Sequence, residues 1–259
     1  MNGIFDLSEK VIAITGGYGH LGGSMTEGLL QHGATVLVLA RSESKFENRF
    51  KHLKKPPYFF ETDINDLPSV KSSVELIAQK FGRLDGLINN AFSLEGGAPP
   101  AAMPDEIFLS GLTGSLLSAY RLIREFLPLI RKSTNGSVIN ISSMYGMVAP
   151  DFSIYESAPT NTNPPHYGAA KAGLLQLSRY LASWLGGENI RVNSISPGPF
   201  PSPEVAKNNT FIEALAKRTA LKRVGDPKDL QGAIIWLCSD ASSFVTGQNI
   251  VVDGGWTII

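Results

Sequence analysis

Tyr167 and Lys171 have the types and the spacing of a proton-transfer pair, because they lie four residues apart in a segment that favours a helix. Residues at this spacing face the same side of a helix. A nearby ammonium favours the phenolate, so we expect Lys171 to lower the pKa of Tyr167 from its ordinary value of about 10. Pro164 and Pro165 are tolerated at a helix start, and the alanines between Tyr167 and Lys171 favour helix. The pair is a candidate for general acid–base chemistry, although such spacing also arises by chance.

A glycine-rich turn indicates a second functional feature. The predicted strand 11–14 runs into a turn with three glycines at intervals of three residues, and a predicted helix follows at once. Glycine lets the backbone approach a pyrophosphate, and a helix N-terminus offers unpaired N–H groups with a partial positive charge. The alternative is a simple tight turn. We predict a nucleotide site here, with contacts from Gly16, Gly19, His20 and Leu21.

These residues need a scaffold, and short β-rich runs alternate with longer amphipathic stretches along the chain. The predicted strands are 11–14, 35–39, 58–61, 86–88, 137–141, 191–195 and 249–252. The predicted helices are 23–32, 67–81, 107–132, 167–185, 205–218 and 227–238. The alternation predicts an α/β fold with a doubly wound parallel β-sheet of about seven strands and helices on both faces. No repeat or composition shift marks a second domain, so we expect one domain over 1–259.

Composition restricts the class of protein. A chain of 259 residues with 43% hydrophobic residues can bury one large core. Its formal net charge is zero, which gives no electrostatic reason to expect nucleic acid or an anionic membrane as partner. The single cysteine, Cys238, excludes an internal disulfide framework and a cysteine metal cluster, and we expect no metal site. With no long apolar run and no signal-peptide pattern at 1–10, the expected location is cytoplasmic.

The end of the second predicted strand bears on the choice of nucleotide. A carboxylate about twenty residues beyond the glycines would hold the ribose 2′-hydroxyl of NAD, but the strand ends in Ala40, Arg41 and Ser42. The planar fork of Arg41 suits a 2′-phosphate, and the Ser42 hydroxyl can add a hydrogen bond. We therefore favour NADP(H) and keep NAD(H) as possible. The alternative is that Arg41 is an ordinary solvated surface residue.

Taken together, the motifs resemble the short-chain dehydrogenase/reductase family over nearly the whole chain. They are the turn 15–22, the pair 63–64, and the segments 89–91, 140–143, 167–171, 193–198, 246–248 and 253–255. The resemblance implies a Rossmann-type domain in which a tyrosine exchanges a proton with a substrate oxygen while nicotinamide exchanges a hydride. On that pattern Tyr167 is the acid and base. Lys171 lowers its pKa and holds the nicotinamide ribose, and Ser143 hydrogen-bonds the substrate carbonyl.

The same resemblance implies further cofactor contacts. Asp63 and Ile64 resemble the pair beside the adenine, and Asn89 with Ala91 resembles the strand end beside the cofactor ribose. The remaining implied contacts, near the nicotinamide, are Pro197, Gly198 and Ser202. Asp63 has the structural alternative of capping a helix, and the asparagine pair that of making a turn.

The assignment of the tyrosine requires an insertion. Family members usually separate the serine and the tyrosine by roughly a dozen residues, and Tyr155 lies at that distance from Ser143. Tyr155, however, has Pro159 where the lysine should be, so Tyr167 is preferred and the extra residues form an insertion at 149–166. We expect this insertion and the segment 199–220 to lie on the substrate side of the domain. Tyr155 and His166 are candidates for substrate contact.

Three positions depart from the family pattern. His20 replaces the middle glycine of the usual turn, so that the glycine spacing resembles that of the longer, sugar-nucleotide-modifying branch. Phe92 replaces a glycine after the asparagine pair, and Gly111 stands where an asparagine is usual. In the family this asparagine helps hold a water linked to the lysine, so we expect reduced rather than absent activity.

Our main hypothesis is an NAD(P)(H)-dependent oxidoreductase acting on a carbonyl or alcohol of a small polar or sugar-like substrate. The segment 149–156 also resembles a stretch in reductases of bacterial surface-sugar and flagellin-glycan pathways. The alternative is a nucleotide-binding sensor or scaffold with little or no turnover, which Gly111, Phe92 and His20 together would favour. The resemblance further implies a homo-oligomer, a tetramer or else a dimer, joined through the predicted helices 107–132 and 167–185 and the apolar C-terminus.

Overall fold

A seven-stranded parallel sheet forms the centre of the fold in the computed structural model, which describes residues 3–94, 96, 98–159 and 162–259. The strands are β1 (Val11–Thr15), β2 (Thr35–Ala40), β3 (Tyr58–Glu61), β4 (Gly86–Asn89), β5 (Gly136–Ile141), β6 (Ile190–Pro197) and β7 (Asn249–Val252). Their order is β3-β2-β1-β4-β5-β6-β7. The direction of winding reverses between β1 and β4, and the crevice beyond the carboxyl ends of strands at such a point is where open α/β sheets bind ligands.

Eight α-helices accompany the sheet within the described residues. They are α1 (His20–Gln31), α2 (Glu43–Phe50), α3 (Leu67–Phe81), α4 (Asp105–Leu112), α5 (Ser118–Ile130), α6 (Pro165–Leu185), α7 (Asn209–Arg218) and α8 (Gln231–Cys238). Helices α1, α2 and α8 share one buried apolar cluster with the sheet, and α3, α5 and α6 share the other. The predicted doubly wound architecture is confirmed.

Alternating strand residues explain the two layers. In β1, Ile12 and Ile14 belong to the cluster with α1, while Ala13 belongs to the cluster with α3 and α5. All three are fully buried. Successive strand side chains point to opposite faces, and a parallel sheet covered on both faces needs apolar residues on both. The continuous apolar runs of the sequence therefore became central strands.

The sequence patterns did not predict α2. This helix is short and polar, and only Phe46 and Phe50 are buried, one turn apart. Ring contacts stabilise the helix, because Phe46 packs against both Phe50 and Phe59, with ring centroids 5.3 and 5.0 Å apart. Tertiary packing thus stabilises a helix that the sequence pattern did not predict.

The predicted helix 107–132 is divided in the structure. Helix α4 ends at Leu112, a π-helical turn occupies Thr113–Leu117, and α5 begins at Ser118. A π-turn inserts an extra residue into the helix and is frequent at functional sites. The predicted helix 205–218 is likewise shortened to α7, because the Asn208 side chain caps it by accepting a hydrogen bond from the Phe211 N–H at 3.1 Å. No helix of the described ranges is both long and apolar enough to cross a bilayer.

Candidate active site

A cleft of about 470 Å³ opens at the carboxyl ends of the strands, a volume typical of sites that bind small molecules and cofactors. Most of the predicted site residues meet there. Those that line it are Gly16, Gly19, His20, Leu21, Arg41, Asp63, Ile64, Ala91, Ser143, Tyr167, Lys171, Pro197, Gly198 and Ser202. Two predicted cofactor contacts, Ser42 and Asn89, do not line it.

The glycine turn suits a phosphate by its backbone. Gly16 has a φ of +63°, a conformation that side chains strain. A Cβ at Gly22 would lie 2.2 Å from the carbonyl oxygen of Gly16, so only glycine allows this approach. Gly19 caps α1 without a side-chain acceptor. The first N–H groups of α1 therefore point toward the cleft with the positive end of the helix dipole, as an anion requires.

Asn90 and Thr15 hold this turn, and neither was among the predicted site residues. The Asn90 side-chain amide donates to the carbonyl oxygen of Thr15 at 2.9 Å, and the Thr15 hydroxyl accepts from the N–H groups of Asn90 and Ala91 at 3.0 and 2.9 Å. Asn90 also lines the cleft. Its adjacency to Asn89 in the asparagine pair was a usable signal, but only the structure shows which asparagine faces the turn.

Asn89 lies beneath the cleft instead. Its side-chain amide donates to Oδ1 of Asn140 at 2.8 Å, and Asn140 donates to the Ser178 hydroxyl at 2.8 Å. Ser194 donates to the same hydroxyl. This buried chain of hydrogen bonds joins β4, β5, β6 and α6. Asn89 therefore stabilises the strand ends, and its side chain does not line the cleft.

Arg41 stands at the far end of the cleft from the tyrosine. Its side chain is exposed and makes no hydrogen bond or ion pair with the residues the structure describes. Ser42 serves elsewhere, because its hydroxyl caps α2 by accepting from the Lys45 N–H at 3.4 Å. The guanidinium is thus free to meet an anion, and the predicted assistance from Ser42 would need that cap to open.

The adenine-side residues form a short turn after β3. Asp63 and Ile64 line the cleft together with Asn65, and the Asp63 carboxylate accepts from the Asn65 N–H at 2.9 Å. Asp66, rather than Asp63, caps α3 by accepting from the Ser69 N–H at 3.0 Å. The capping alternative for Asp63 is therefore wrong. Asn65 is a cleft residue that the sequence analysis missed.

Lys171 is a buried ammonium at the wall of the cleft. It is 3% exposed and donates from Nζ to the carbonyl oxygen of Ile141 at 2.8 Å. Burial penalises the charged form and lowers the pKa of Lys171 to about 8. The Nζ atom lies 5.7 Å from the centroid of the Tyr167 ring and 5.1 Å from that of Phe92. The two rings and one carbonyl thus replace water around this charge.

Tyr167 does not follow the expected pKa. Burial raises its pKa above the ordinary value, the Ser143 hydroxyl acts in the opposite direction, and Tyr155 adds to the rise. The Lys171 ammonium donates to the carbonyl oxygen of Ile141, and no hydrogen bond joins it to the phenol oxygen within the described residues. The expected lowering of the Tyr167 pKa is therefore wrong, because burial raises this pKa and the phenol is protonated at neutral pH.

Phe92 explains part of this environment. Its ring meets that of Tyr167 edge to face, with centroids 5.7 Å apart and planes at 63°. Phe92 lines the cleft, and its side chain is still half exposed. The bulky side chain expected from the sequence therefore covers part of Tyr167 and Lys171 on the cleft side.

The segment predicted to lie beside the nicotinamide follows β6. The Gly198 N–H donates to the Val252 carbonyl oxygen at 3.0 Å, which fixes this segment against β7. The Ser202 hydroxyl accepts from the Val205 N–H at 3.4 Å. Pro197, Gly198 and Ser202 therefore present a backbone held in place along one wall of the cleft.

The insertion does not supply substrate contacts in the predicted way. Tyr155 is buried, and its hydroxyl lies 2.6 Å from that of Tyr145 and accepts from the Asn163 amide at 3.0 Å. Ile154 and Tyr155 pack with Phe211 in a buried cluster that also contains Trp256. His166 is fully buried as well. Neither Tyr155 nor His166 lines the cleft, and positions 160 and 161 of this insertion lie outside the described residues.

Comparison with known proteins agrees with this geometry. Residues 20–257 match the family model described as enoyl-(acyl carrier protein) reductase. The chain is 34% identical to 3-oxoacyl-[acyl-carrier-protein] reductase FabG of Thermotoga maritima, over 97% of this chain and 99% of that protein. It is 30% identical to post-translational flagellin modification protein A of Campylobacter coli, over 96% and 99%.

Among solved structures, the chain is similar to the Pseudomonas aeruginosa RhlG/NADP active-site complex, with a TM-score of 0.89 at 30% identity over the full length of both. The family-model match, the similarity over the whole length and the shared fold show that the chain belongs to the short-chain dehydrogenase/reductase family, NAD(P)(H)-dependent oxidoreductases that act on CH–OH and C=O groups.

Proposed function

We propose that the protein is an NADP(H)-dependent carbonyl reductase in which Tyr167 is the acid and Ser143 hydrogen-bonds the substrate carbonyl. In this proposal Lys171 returns protons to Tyr167 and binds the nicotinamide ribose. One observation carries the proposal. Ser143, Tyr167 and Lys171 line the same cleft as the glycine turn, with the free guanidinium of Arg41 at its other end. The positions that differ from the family pattern, His20, Phe92 and Gly111, leave this arrangement of side chains intact.

The residues suit the reductive direction. The chemistry that NADPH would supply, when bound in the cleft, is a hydride for the carbonyl carbon. The Ser143 hydroxyl donates a hydrogen bond to the carbonyl oxygen, and Tyr167 gives its proton to that oxygen as the new C–H bond forms. The Tyr167 phenol is protonated at neutral pH, as a proton donor must be, since burial raises its pKa above the ordinary value. Solvent then replaces the proton that Tyr167 has lost.

The preference for NADP(H) rests on Arg41. The guanidinium is exposed at the cleft and unpaired within the described residues, and the end of β2 carries no carboxylate that would repel a 2′-phosphate. The similarity to an NADP complex is consistent with it. A guanidinium–phosphate hydrogen bond contributes about 1.5–3 kcal/mol, or roughly a 10- to 100-fold preference.

Titration of protein fluorescence with NADPH and NADH tests the preference. We expect tighter binding of NADPH, and we expect Arg41→Ala to weaken NADPH binding about 10- to 100-fold with little change for NADH. Lys45→Ala is the matched control, because Lys45 is an exposed cation one turn away that does not line the cleft. Equal binding of both nucleotides by the wild-type protein would contradict the assignment of Arg41.

For the substrate we favour a small polar or sugar-like carbonyl compound. The similarity to a flagellin modification protein and the polar insertion support this class. The similarity to a 3-oxoacyl reductase supports a competing class, the 3-oxoacyl thioesters. A panel of ketosugars, 3-oxoacyl thioesters and steroid ketones with NADPH separates them by kcat/KM. Turnover of the thioesters or steroids without turnover of any ketosugar would reject the sugar-like class.

A homo-oligomer, tetramer before dimer, is the proposed assembly, and the proposed location is cytoplasmic. Large apolar side chains are exposed on the expected helices, with Leu109 on α4, Tyr120 on α5, and Tyr180 and Trp184 on α6. The C-terminus contributes less than expected. Trp256 is 2% exposed and packs inside the cluster with Phe211, which leaves the last residues as its exposed apolar part. Sedimentation at several protein concentrations measures the assembly, and a monomeric mass would contradict it.

A further inference from the structure

Gly111 of α4 and His166 of α6 compete for one space. A Cβ atom at Gly111 would lie 2.1 Å from Cδ2 of the His166 ring, and its next two neighbours, both at 3.0 Å, are Cγ and Nε2 of the same ring. Real Cβ atoms essentially never approach another heavy atom so closely. The imidazole therefore fills the volume that a side chain at position 111 would occupy, and the glycine is required by the histidine opposite.

The buried His166 ring has no internal hydrogen-bond partner. It is 0% exposed, and neither Nδ1 nor Nε2 finds a partner among the described residues. Its ring contact is apolar, an edge-to-face packing on Phe108 with centroids 6.0 Å apart. Burial lowers the pKa of His166, so the ring is neutral at pH 7, with one nitrogen that donates and one that accepts. A buried donor or acceptor without a partner lowers stability by about 1–3 kcal/mol. An apolar ring would fill the same space without this cost.

Two other buried polar groups on neighbouring segments have unused hydrogen-bonding capacity among the described residues. The Ser115 hydroxyl, in the π-turn four residues after Gly111, is buried without a partner among the described residues. Lys171 makes one hydrogen bond there although an ammonium has three donors. His166 precedes Tyr167 directly in α6, and Nζ of Lys171 lies 5.7 Å from the centroid of the Tyr167 ring. A buried water makes about three hydrogen bonds, and buried polar groups with unused donors or acceptors are the partners that it takes.

We propose that His166 is a positioning residue for the reaction, and that its imidazole holds an ordered water that hydrogen-bonds the Lys171 ammonium and links it to solvent. The proposal rests on the proposed roles of Tyr167 and Lys171. In each reduction Tyr167 gives one proton to the substrate oxygen, Lys171 returns a proton to Tyr167, and the water returns one to Lys171 and takes one from solvent. His166 stays neutral throughout and orients the water. An imidazole from α6 thus stands where the family has an asparagine side chain from α4.

The test removes the nitrogens and keeps the ring. His166→Phe retains a planar ring beside Phe108, and we expect kcat to fall about tenfold, the effect of one well-placed hydrogen bond, with KM and the Kd for NADPH unchanged. The solvent deuterium isotope effect on kcat should rise, because proton supply becomes more limiting. A purely structural role would not change that isotope effect. His166→Leu is the second apolar variant if the phenylalanine does not fit.

The double variant Gly111→Asn/His166→Ala is the matched rescue. All three nearest neighbours of a Cβ at 111 are atoms of the His166 ring, so alanine at 166 makes room for an asparagine on α4. We expect this variant to recover kcat to within about threefold of the wild-type value, whereas His166→Ala alone stays about tenfold low.

Wild-type kcat and isotope effect in the folded His166→Phe or His166→Leu protein would overturn the proposal, as would a double variant no faster than His166→Ala. Thermal unfolding of each variant identifies a folded protein. An inactive wild-type protein on every carbonyl tested would instead overturn the proposed function, and this inference with it. The two failures are therefore distinguishable.

Discussion

Replacing Lys171 by methionine should make the protein more stable at neutral pH while it removes the function. The side chain is 3% exposed, and burial lowers its pKa from 10.5 to about 8. Methionine has a similar length and no charge, so Lys171→Met removes the cost of burying an ammonium and preserves most of the packing.

The magnitude follows from the pKa. The difference between 10.5 and about 8 corresponds to about 3 kcal/mol at pH 7, where the lysine is charged in both states. Methionine cannot make the hydrogen bond to the Ile141 carbonyl, and the loss of this bond reduces the gain in the free energy of unfolding by about 1–2 kcal/mol. The net expected gain in the free energy of unfolding is about 1–2 kcal/mol, or roughly 2–8 °C in Tm for a chain of this length.

The sign of the pH dependence is opposite to that of a lysine in an ion pair. Between pH 8 and 10.5 the folded protein holds a neutral Lys171 while the unfolded chain still binds the proton, so the unfolded state binds more protons. Wild-type stability from this group therefore rises with pH across that window. By about pH 9.5 the wild type regains about 2 of the 3 kcal/mol, and the advantage of methionine disappears or reverses.

Urea unfolding of the ligand-free proteins at about pH 7 and about pH 9.5, at one protein concentration, measures this difference. Lys71→Met is the matched control, because Lys71 is exposed on α3 and should give the same small effect at both pH values. If the stability difference between Lys171→Met and the wild type is equal at the two pH values, Lys171 is not a buried charge and the reasoning is wrong.

Three further perturbations address the cofactor turn, the proton donor and the assembly. Gly22→Ala should weaken NADPH and NADH binding at least tenfold and lower the free energy of unfolding by about 1–3 kcal/mol, since the new Cβ would lie 2.2 Å from the Gly16 carbonyl oxygen. Gly232→Ala is the control, because a Cβ at that position has no atom within 4 Å. Tyr167→Phe should abolish NADPH-dependent turnover and keep the Kd for NADPH, and retained turnover would show a different acid. Trp184→Asp should lower the mass in sedimentation, whereas Phe244→Asp, fully exposed but away from α4–α6, should not.

Part of the site was predictable from residues close together in the chain. The glycine turn, the Tyr167 and Lys171 spacing and the order of the motifs are local, and the winding of an α/β sheet brings strand ends to one edge regardless of loop details. That is why most predicted contacts, from Gly16 to Ser202, line one cleft. The elements that failed depend on packing. The α2 helix needs the distant Phe59.

Side-chain partners could not be read from the sequence, because they join residues far apart in the chain. Asn89 and Asn90 are adjacent, yet one bonds Asn140 on β5 and the other holds the glycine turn. The spacing of Tyr167 and Lys171 predicted a lowered phenol pKa, but burial and the choice of Ile141 as hydrogen-bond partner reversed it. A pKa depends on the whole surroundings of a group, of which its helix neighbour is only one part.

The sequence alone determined the fold class and the family, and it predicted residues most of which line one cleft, because periodicity and local motifs carry that information. Only the tertiary structure showed the contacts around those residues. It showed which asparagine faces the cleft and which serine caps a helix. It also showed that the His166 ring fills the space of a side chain at Gly111. The physical reason is that close packing and hydrogen-bond pairing are settled between elements, at distances that no pattern along one chain segment specifies.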